Sequence, residues 1–242
     1  MKKFIRLTAL ACILLLSGNA IAQSLTPRVV FRDHPQTHNM HITSDGQYLY
    51  TCNGGKSEYG QISKFTLNGT KIGSYKIELD MRSIMYNPAD KKLYVNTYTQ
   101  KLYRINDLVL GHMSEVLDLS ERNEQSSPAI SSNGKYIYFM EFGTLYVHNM
   151  KNGKLKTTIS NLNTSDNASD GGNAVAVSKK HIYTWNAPEQ TVYVYDLKGK
   201  FKKSLKLNQG EYGFSLAYAN DMLWVSTDGN YEEGTWYGYV VE

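Results

Sequence analysis

The sequence predicts an all-β fold, a β-propeller of five four-stranded blades closed by the N-terminal strand, and three observations predict it. The first is a repeat. Asp45-Gly46-Gln47-Tyr48-Leu49-Tyr50 returns as Asp90-Lys91-Lys92-Leu93-Tyr94-Val95, as Asn133-Gly134-Lys135-Tyr136-Ile137-Tyr138, as Lys179-Lys180-His181-Ile182-Tyr183, and as Asn220-Asp221-Met222-Leu223-Trp224. The register aromatics Tyr50, Tyr94, Tyr138, Tyr183 and Trp224 lie 44, 44, 45 and 41 residues apart, the length of one propeller blade. The second is the pattern inside each unit, where period-two alternation is bounded by Gly, Asn and Asp turns. The third is that the two ends complement each other. The fifth unit has three strands, at 214–219, 222–227 and 236–241, and the segment Arg28-Val29-Val30-Phe31-Arg32 is a strand without a unit. Pairing them closes the ring and hides two sheet edges.

The elements follow in order. Residues 1–22 carry a basic start (Lys2, Lys3, Arg6), an apolar run over 7–16 and Ala20-Ile21-Ala22 before Gln23. This reads as a secretory signal peptide, with residues 23–242 as a single propeller domain. The apolar run is well short of the roughly 20 residues of a membrane span. The third unit shows the strand pattern most fully. Residues 126–131 lead to a turn at Asn133-Gly134, a strong hairpin signal. Tyr136 to Met140 is aromatic and β-branched, Thr144 to Asn149 alternates, and a turn at 151–154 precedes 155–162.

Composition excludes several classes. Hydrophobic residues at 41% and aromatics at 12% exclude a disordered chain, and two cysteines exclude a disulfide scaffold. The formal charge of +4 drops to +1 once the signal and its three cations are removed, so nucleic-acid binding is not expected. Cys12 leaves with the signal, and the remaining Cys52 is expected to be buried.

The phrase Leu93-Tyr94-Val95-Asn96-Thr97, with Lys101-Leu102-Tyr103-Arg104-Ile105-Asn106-Asp107, resembles the YVTN family of propeller repeats. So does His181-Ile182-Tyr183-Thr184-Trp185-Asn186 with Thr191-Val192-Tyr193-Val194-Tyr195-Asp196. The likeness extends to the quinoprotein amine dehydrogenase β-chain-like group within the WD40/YVTN-like superfamily. The resemblance implies architecture, with ligands held at a mouth of the central channel. Residues 49–55 with 59–63 also resemble the first blade of plant-type glutaminyl cyclases. That family's glutamate is replaced around Cys52 and Asn53, and no catalytic role is carried over.

A fold does not name an activity, so the loops must. The candidate ligand-binding residues at the channel mouth are Asn53, Glu58, Arg82, Tyr98, Glu141, Trp185, Asn186 and Asp228. Glu58 and Asp228 lie on the two most divergent loops, 53–60 and 227–234. An acid with amides, Glu141 with Asn53 and Asn186, resembles the floor of propeller lactonases, yet lacks a second placed carboxylate. Asn and Thr at strand ends also cap turns. His34, His38 and His41 share one segment but match no metal-ligand spacing. No nucleophile elbow is present.

The expectation is a periplasmic or secreted, non-catalytic binding protein with no membrane insertion, no cofactor and no catalytic residues. Its partner is an envelope or extracellular protein, a peptide or a glycan. The rival reading is an enzyme on the same face, either a metal-assisted, lactonase-like hydrolase with Ca2+ or Zn2+ or a glutaminyl-cyclase-like enzyme.

Overall fold

The computed structural model describes residues 23–241. The signal-peptide expectation for residues 1–22 lies outside the described residues. Blade one is β3 (His38–Ser44), β4 (Tyr48–Gly54), β5 (Gln61–Thr66) and β6 (Lys71–Lys76). Blade two is β7 (Met81–Asn87), β8 (Lys92–Thr97), β9 (Lys101–Asp107) and β10 (His112–Asp118). Blade three is β11 (Ala129–Ile130), β12 (Tyr136–Glu141), β13 (Thr144–Asn149) and β14 (Leu155–Ile159). Blade four is β15 (Ala176–Val177), β16 (His181–Asn186), β17 (Thr191–Asp196) and β18 (Phe201–Leu207), with β1 (Gln23–Leu25) on its outer edge. Blade five is β19 (Ala217–Ala219), β20 (Met222–Ser226), β21 (Gly234–Tyr239) and β2 (Val29–Asp33). The fold is the five-bladed propeller the repeat predicts.

Burial falls from the centre outward. The middle strands are covered on both faces by neighbouring blades, so β4, β12, β16 and β20 are buried almost throughout. The outer strands β6 and β14 are mostly exposed. The repeated phrase also has a bonding role. The Tyr50 hydroxyl donates to the Asp45 carboxylate at 2.8 Å and the Tyr94 hydroxyl to Asp90 at 2.6 Å. In blades one and two the register tyrosine thereby braces the turn that begins its own strand. Burial, then the hydrogen-bonded Asp90, pushes the Tyr94 phenol up to about 12. Cys52 is buried as expected, and that burial raises its thiol pKa.

Closure takes place on the expected strand. β2 pairs antiparallel with β21 from Val29↔Gly238 to Asp33↔Gly234. Phe31 is the wedge, with its ring 4.6 Å from Phe65 in blade one and 5.8 Å from Trp224 in blade five. Two details differ from the sequence reading. The inner strands of blades three to five are only two or three residues long; Pro128 offers no N–H before β11 in blade three, and a 3-10 turn at Gly213–Ser215 precedes β19 in blade five. In addition, β1 adds in parallel to β18 from Gln23↔Leu205 to Leu25↔Leu207, shielding the edge of blade four.

Side chains tie the inner strands together. His41 Nδ1 donates to the Ile84 carbonyl at 2.8 Å, Thr43 Oγ1 accepts from the Tyr86 N–H at 3.0 Å, and Ser127 Oγ donates to the Arg82 carbonyl at 2.8 Å.

Phe31→Ala is expected to cost about 3–5 kcal/mol, whereas Val30→Ala on the half-exposed face of the same strand changes the Tm little. Deleting residues 26–32 should lower the Tm sharply, and an unchanged melt would refute the closure. Burial pushes the His41 imidazole down to about 4 from 6.5. The neutral ring is the folded form, so its contribution is complete above pH 6.5, declines as pH falls toward 4 and is level below. The loss is on the order of 3 kcal/mol. Thermal melts from pH 7 to 4 should therefore steepen in the wild type relative to His41→Asn. Equal slopes would contradict this.

Candidate functional site

Alternating strand direction places two loop sets at one end of the channel. These are the loops entering each inner strand and the loops joining each second strand to its third. At this entry mouth, blades one and two differ from the rest of the ring. The register of β3 shifts between Asn39 and His41, and that of β7 between Met81 and Ser83. Each shift is a bulge, a feature that re-aims the extra side chain. The extra residues are Met40 and Arg82, and both close on Gly54. A Cβ at Gly54 would meet the Arg82 Nη1 at 2.7 Å and the Met40 Cγ at 2.8 Å.

Arg82 is buried at 7% exposure. Its Nη1 donates to Asp80 Oδ1 at 2.8 Å, and its guanidinium lies 4.7 Å from the Tyr98 ring centre. Asp80 also accepts the Gly55 N–H at 2.7 Å, which anchors the 53–60 loop. The hydrogen bond to Glu124 raises the Tyr98 phenol pKa.

The 227–234 loop is fastened to blade one. His38 Nδ1 and Asp228 Oδ1 are 2.7 Å apart, and the Asn39 N–H donates to the Asp228 carbonyl at 2.8 Å. The Tyr231 N–H donates to the Thr37 carbonyl at 2.9 Å, and Glu233 pairs with Arg32 at 2.9 Å and His34 at 3.1 Å. The His38 ring stacks on Tyr212 at 6.1 Å and meets the edge of Tyr231 at 5.6 Å. Burial raises the Tyr212 pKa far above its ordinary value, and Asp228 adds to the effect. Lys56 Nζ sits 5.5 Å from the Tyr231 ring and 5.8 Å from the Tyr59 ring.

Of the residues singled out from sequence, the structure brings Arg82, Tyr98 and Asp228 to this cluster. Asn53 is a buried staple. Its amide donates to the carbonyls of Pro35 and Tyr59, and its Oδ1 accepts the Gln61 N–H. Trp185 is fully buried against Gly171, where a Cβ would stand 2.6 Å from its Cδ1. Asn186 accepts the Glu189 N–H in its own turn. Glu141 accepts the Asn123 N–H at 3.0 Å beside Arg122. Glu58 is exposed on the 3-10 turn Ser57–Tyr59. Glu141, Asn186 and Asn53 thus serve separate structural bonds. The three histidines diverge as well, to Glu233, Asp228 and Ile84. Among the described residues no group of three His, Cys, Asp or Glu side chains is placed to hold a metal. The site list from sequence omitted His38, Asp80 and Tyr212. Repeat alignment places His38 and Tyr212 in the loops entering the inner strands, but the pairing of His38 with Asp228, 190 residues away, has no local sequence signal.

No protein-family model and no curated protein matches the sequence. Among solved structures, the chain is similar to glutaminyl cyclase from Myxococcus xanthus, with a TM-score of 0.63 and 10% identity, covering 91% of this chain and 98% of that one. It is also similar to a protein of unknown function from Bacteroides thetaiotaomicron VPI-5482, with a TM-score of 0.52 and 7% identity, covering 84% and 70%. At these identities the likeness is one of fold, the β-propeller. No helix among the described residues is long and apolar enough to cross a membrane.

Asp80→Ala leaves the buried Arg82 cation without its carboxylate and releases the Gly55 N–H. We expect a loss of about 2–4 kcal/mol in urea unfolding, against less than about 0.5 for the exposed Glu58→Ala.

Proposed function

We propose that this chain is an exported, non-catalytic propeller that binds a peptide, protein or glycan through its entry mouth. One observation carries the reading. Tyr59, Phe142 and Tyr231 expose 43%, 48% and 50% of their surface, and each lies on a loop between a second and a third strand, at the same end of the ring. Aromatic rings held out on hydrogen-bonded loops supply contact area at low entropy cost, and Lys56 lies within reach of two of them. Such a surface suits the apolar face of a sugar or a peptide side chain.

A second reading is supported by a separate observation. The His38–Asp228 pair at 2.7 Å is an imidazole oriented by a carboxylate, the arrangement of a general base. The glutaminyl cyclase named above matches nearly end to end. On this reading the mouth would cyclise an N-terminal glutamine with release of ammonia.

The two readings separate in one set of assays on residues 23–242. Binding to a glycan array or to cross-linked envelope proteins should fall at least tenfold in the triple variant Tyr59→Ala, Phe142→Ala, Tyr231→Ala, with little change in Tm. Absence of any binding in the wild type counts against the first reading. Ammonia release from a glutaminyl peptide, abolished by His38→Ala and Asp228→Asn, would establish the second.

A further inference from the structure

The opposite, exit end of the channel carries the turns from first to second strand and from third to fourth strand. In blade three these are residues 131–135 and 150–154, with Lys135, Lys151 and Lys154. In blade four they are residues 178–180 and 197–200, with Lys179, Lys180, Lys198 and Lys200. Seven lysines thus stand on four turns that contain no acidic residue, and all seven are exposed. The corresponding turns of the other blades, 45–47, 67–70, 88–91, 108–111 and 220–221, hold one lysine, Lys91, against Asp45, Asp90 and Asp221. Residues 23–242 have a net charge of only +1, so the cations are gathered on one side of the exit face rather than spread around the ring.

The four turns form one surface. Within blade three the Met150 N–H donates to the Lys135 carbonyl at 2.9 Å. Within blade four His181 opposes Asp196, which sets the two turns side by side. Between the blades, Ser131, Ser132, Ser178 and Lys179 border a single basin of about 410 Å3. Gly199 also packs so closely on the Ile159 side chain of β14 that a Cβ there would overlap it.

The fold has no use for these charges. Asn133, Asn149, Asn152, Ser178 and Asp196 hold the turns, each accepting the backbone N–H of the lysine two residues on at 2.9–3.2 Å. Among the described residues none of the seven ammonium groups is in an ion pair. Apolar side chains stand among the cations. Leu197 lies in one of the turns, and Leu155 and Phe201 directly follow two of them, with 43%, 52% and 49% of their surface exposed.

Lysines interleaved with half-exposed apolar side chains match the surface of an anionic bilayer. There ammonium groups meet headgroup phosphates, and apolar side chains enter the boundary with the acyl chains. Recognition of carboxylates on a protein, or of phosphates on a nucleic acid, favours the bidentate arginine fork, and no arginine lies on these turns.

We propose that the exit face of blades three and four docks on a membrane surface rich in anionic phospholipid headgroups, without spanning it. The entry mouth is then held on the side away from the bilayer. This docking does not rest on the function proposed for that mouth.

The test uses residues 23–242 and sedimentation with phosphatidylcholine vesicles, with or without about one-third phosphatidylglycerol. The protein should sediment only with the vesicles that contain phosphatidylglycerol, and should be released at roughly 0.5 M salt. The variant Lys151→Glu, Lys154→Glu, Lys198→Glu, Lys200→Glu should bind at least roughly tenfold more weakly with little change in Tm. The same charge change in blades one and two, Lys64→Glu, Lys76→Glu, Lys92→Glu, Arg104→Glu, should cost less than about threefold. All three tryptophans are fully buried, so Leu197→Trp supplies a reporter whose emission should shift to the blue on phosphatidylglycerol vesicles. Equal binding to both kinds of vesicle, or to neither, overturns the proposal. So do equal losses in the two charge variants, or an unshifted emission. Binding of heparin or of a DNA oligonucleotide without binding to vesicles assigns the face to a soluble polyanion and also overturns it.

Discussion

One antiparallel strand pair, β2 against β21, sets the geometry of this ring. Five small sheets arranged radially bury their faces only if the circle is complete, and here completion depends on a strand from the far end of the chain. The pairing does more than hide edges. Gly238 in β21 admits the Trp224 ring, which a Cβ would meet at 2.8 Å, and Phe31 then reaches both Trp224 and Phe65. At the end of the strand, Asp33 is buried and accepts from Thr51 Oγ1 of blade one at 2.6 Å, with Lys71 at 3.5 Å. The closing strand is therefore bonded to the last blade through its backbone and to the first through its side chains.

The entry mouth follows from this closure. The chain leaving β2 crosses from blade five to blade one over residues 34–37, and Asn53 and Gln61 bond to its carbonyls. The 227–234 loop fastens to the same crossing through Thr37, His34 and Arg32. His38 is thus brought to Asp228, 190 residues away in sequence. The site cluster is a by-product of where the ring is joined, and the two most divergent loops flank that seam.

How much was legible in the sequence follows from which interactions are local. The blades were, since each Tyr–Asp brace spans only four or five residues and writes the same phrase into successive units. Closure was legible because a strand without a partner and a blade short of a strand are both visible. The direction of side chains in loops was not. Asn53 reads as a mouth residue, yet Pro35 and Tyr59 hold it inside. Trp185 reads as a stacking surface, yet Gly171, at φ 105°, brings its backbone against the ring. The parallel addition of β1 to β18 was equally hidden, since three residues, Gln23–Leu25, form no pattern.

The two ends of the channel show why loop chemistry carries function in this fold. The entry end is filled by ion pairs and stacked rings, and what it offers outward is aromatic. Two of those aromatics sit in backbone that side chains avoid, Phe142 at φ 45° and Tyr231 at φ 70°. A left-handed conformation at a bulky residue costs on the order of 1–2 kcal/mol, and burying the ring could offset that cost. Here both rings are about half exposed, so packing recovers little of it. Glycine would fit those angles better and would give up no core contact comparable to Phe31 or Trp224. At Phe142 the turn itself explains the angle, because Phe142 and Gly143, with φ of 45° and 81°, are the two residues that join β12 to β13, and a two-residue hairpin of this hand requires positive φ at both. The exit end is built differently, from short turns braced by their own side chains, as where Ser44 Oγ donates to the Tyr48 carbonyl and the Tyr50 hydroxyl to Asp45.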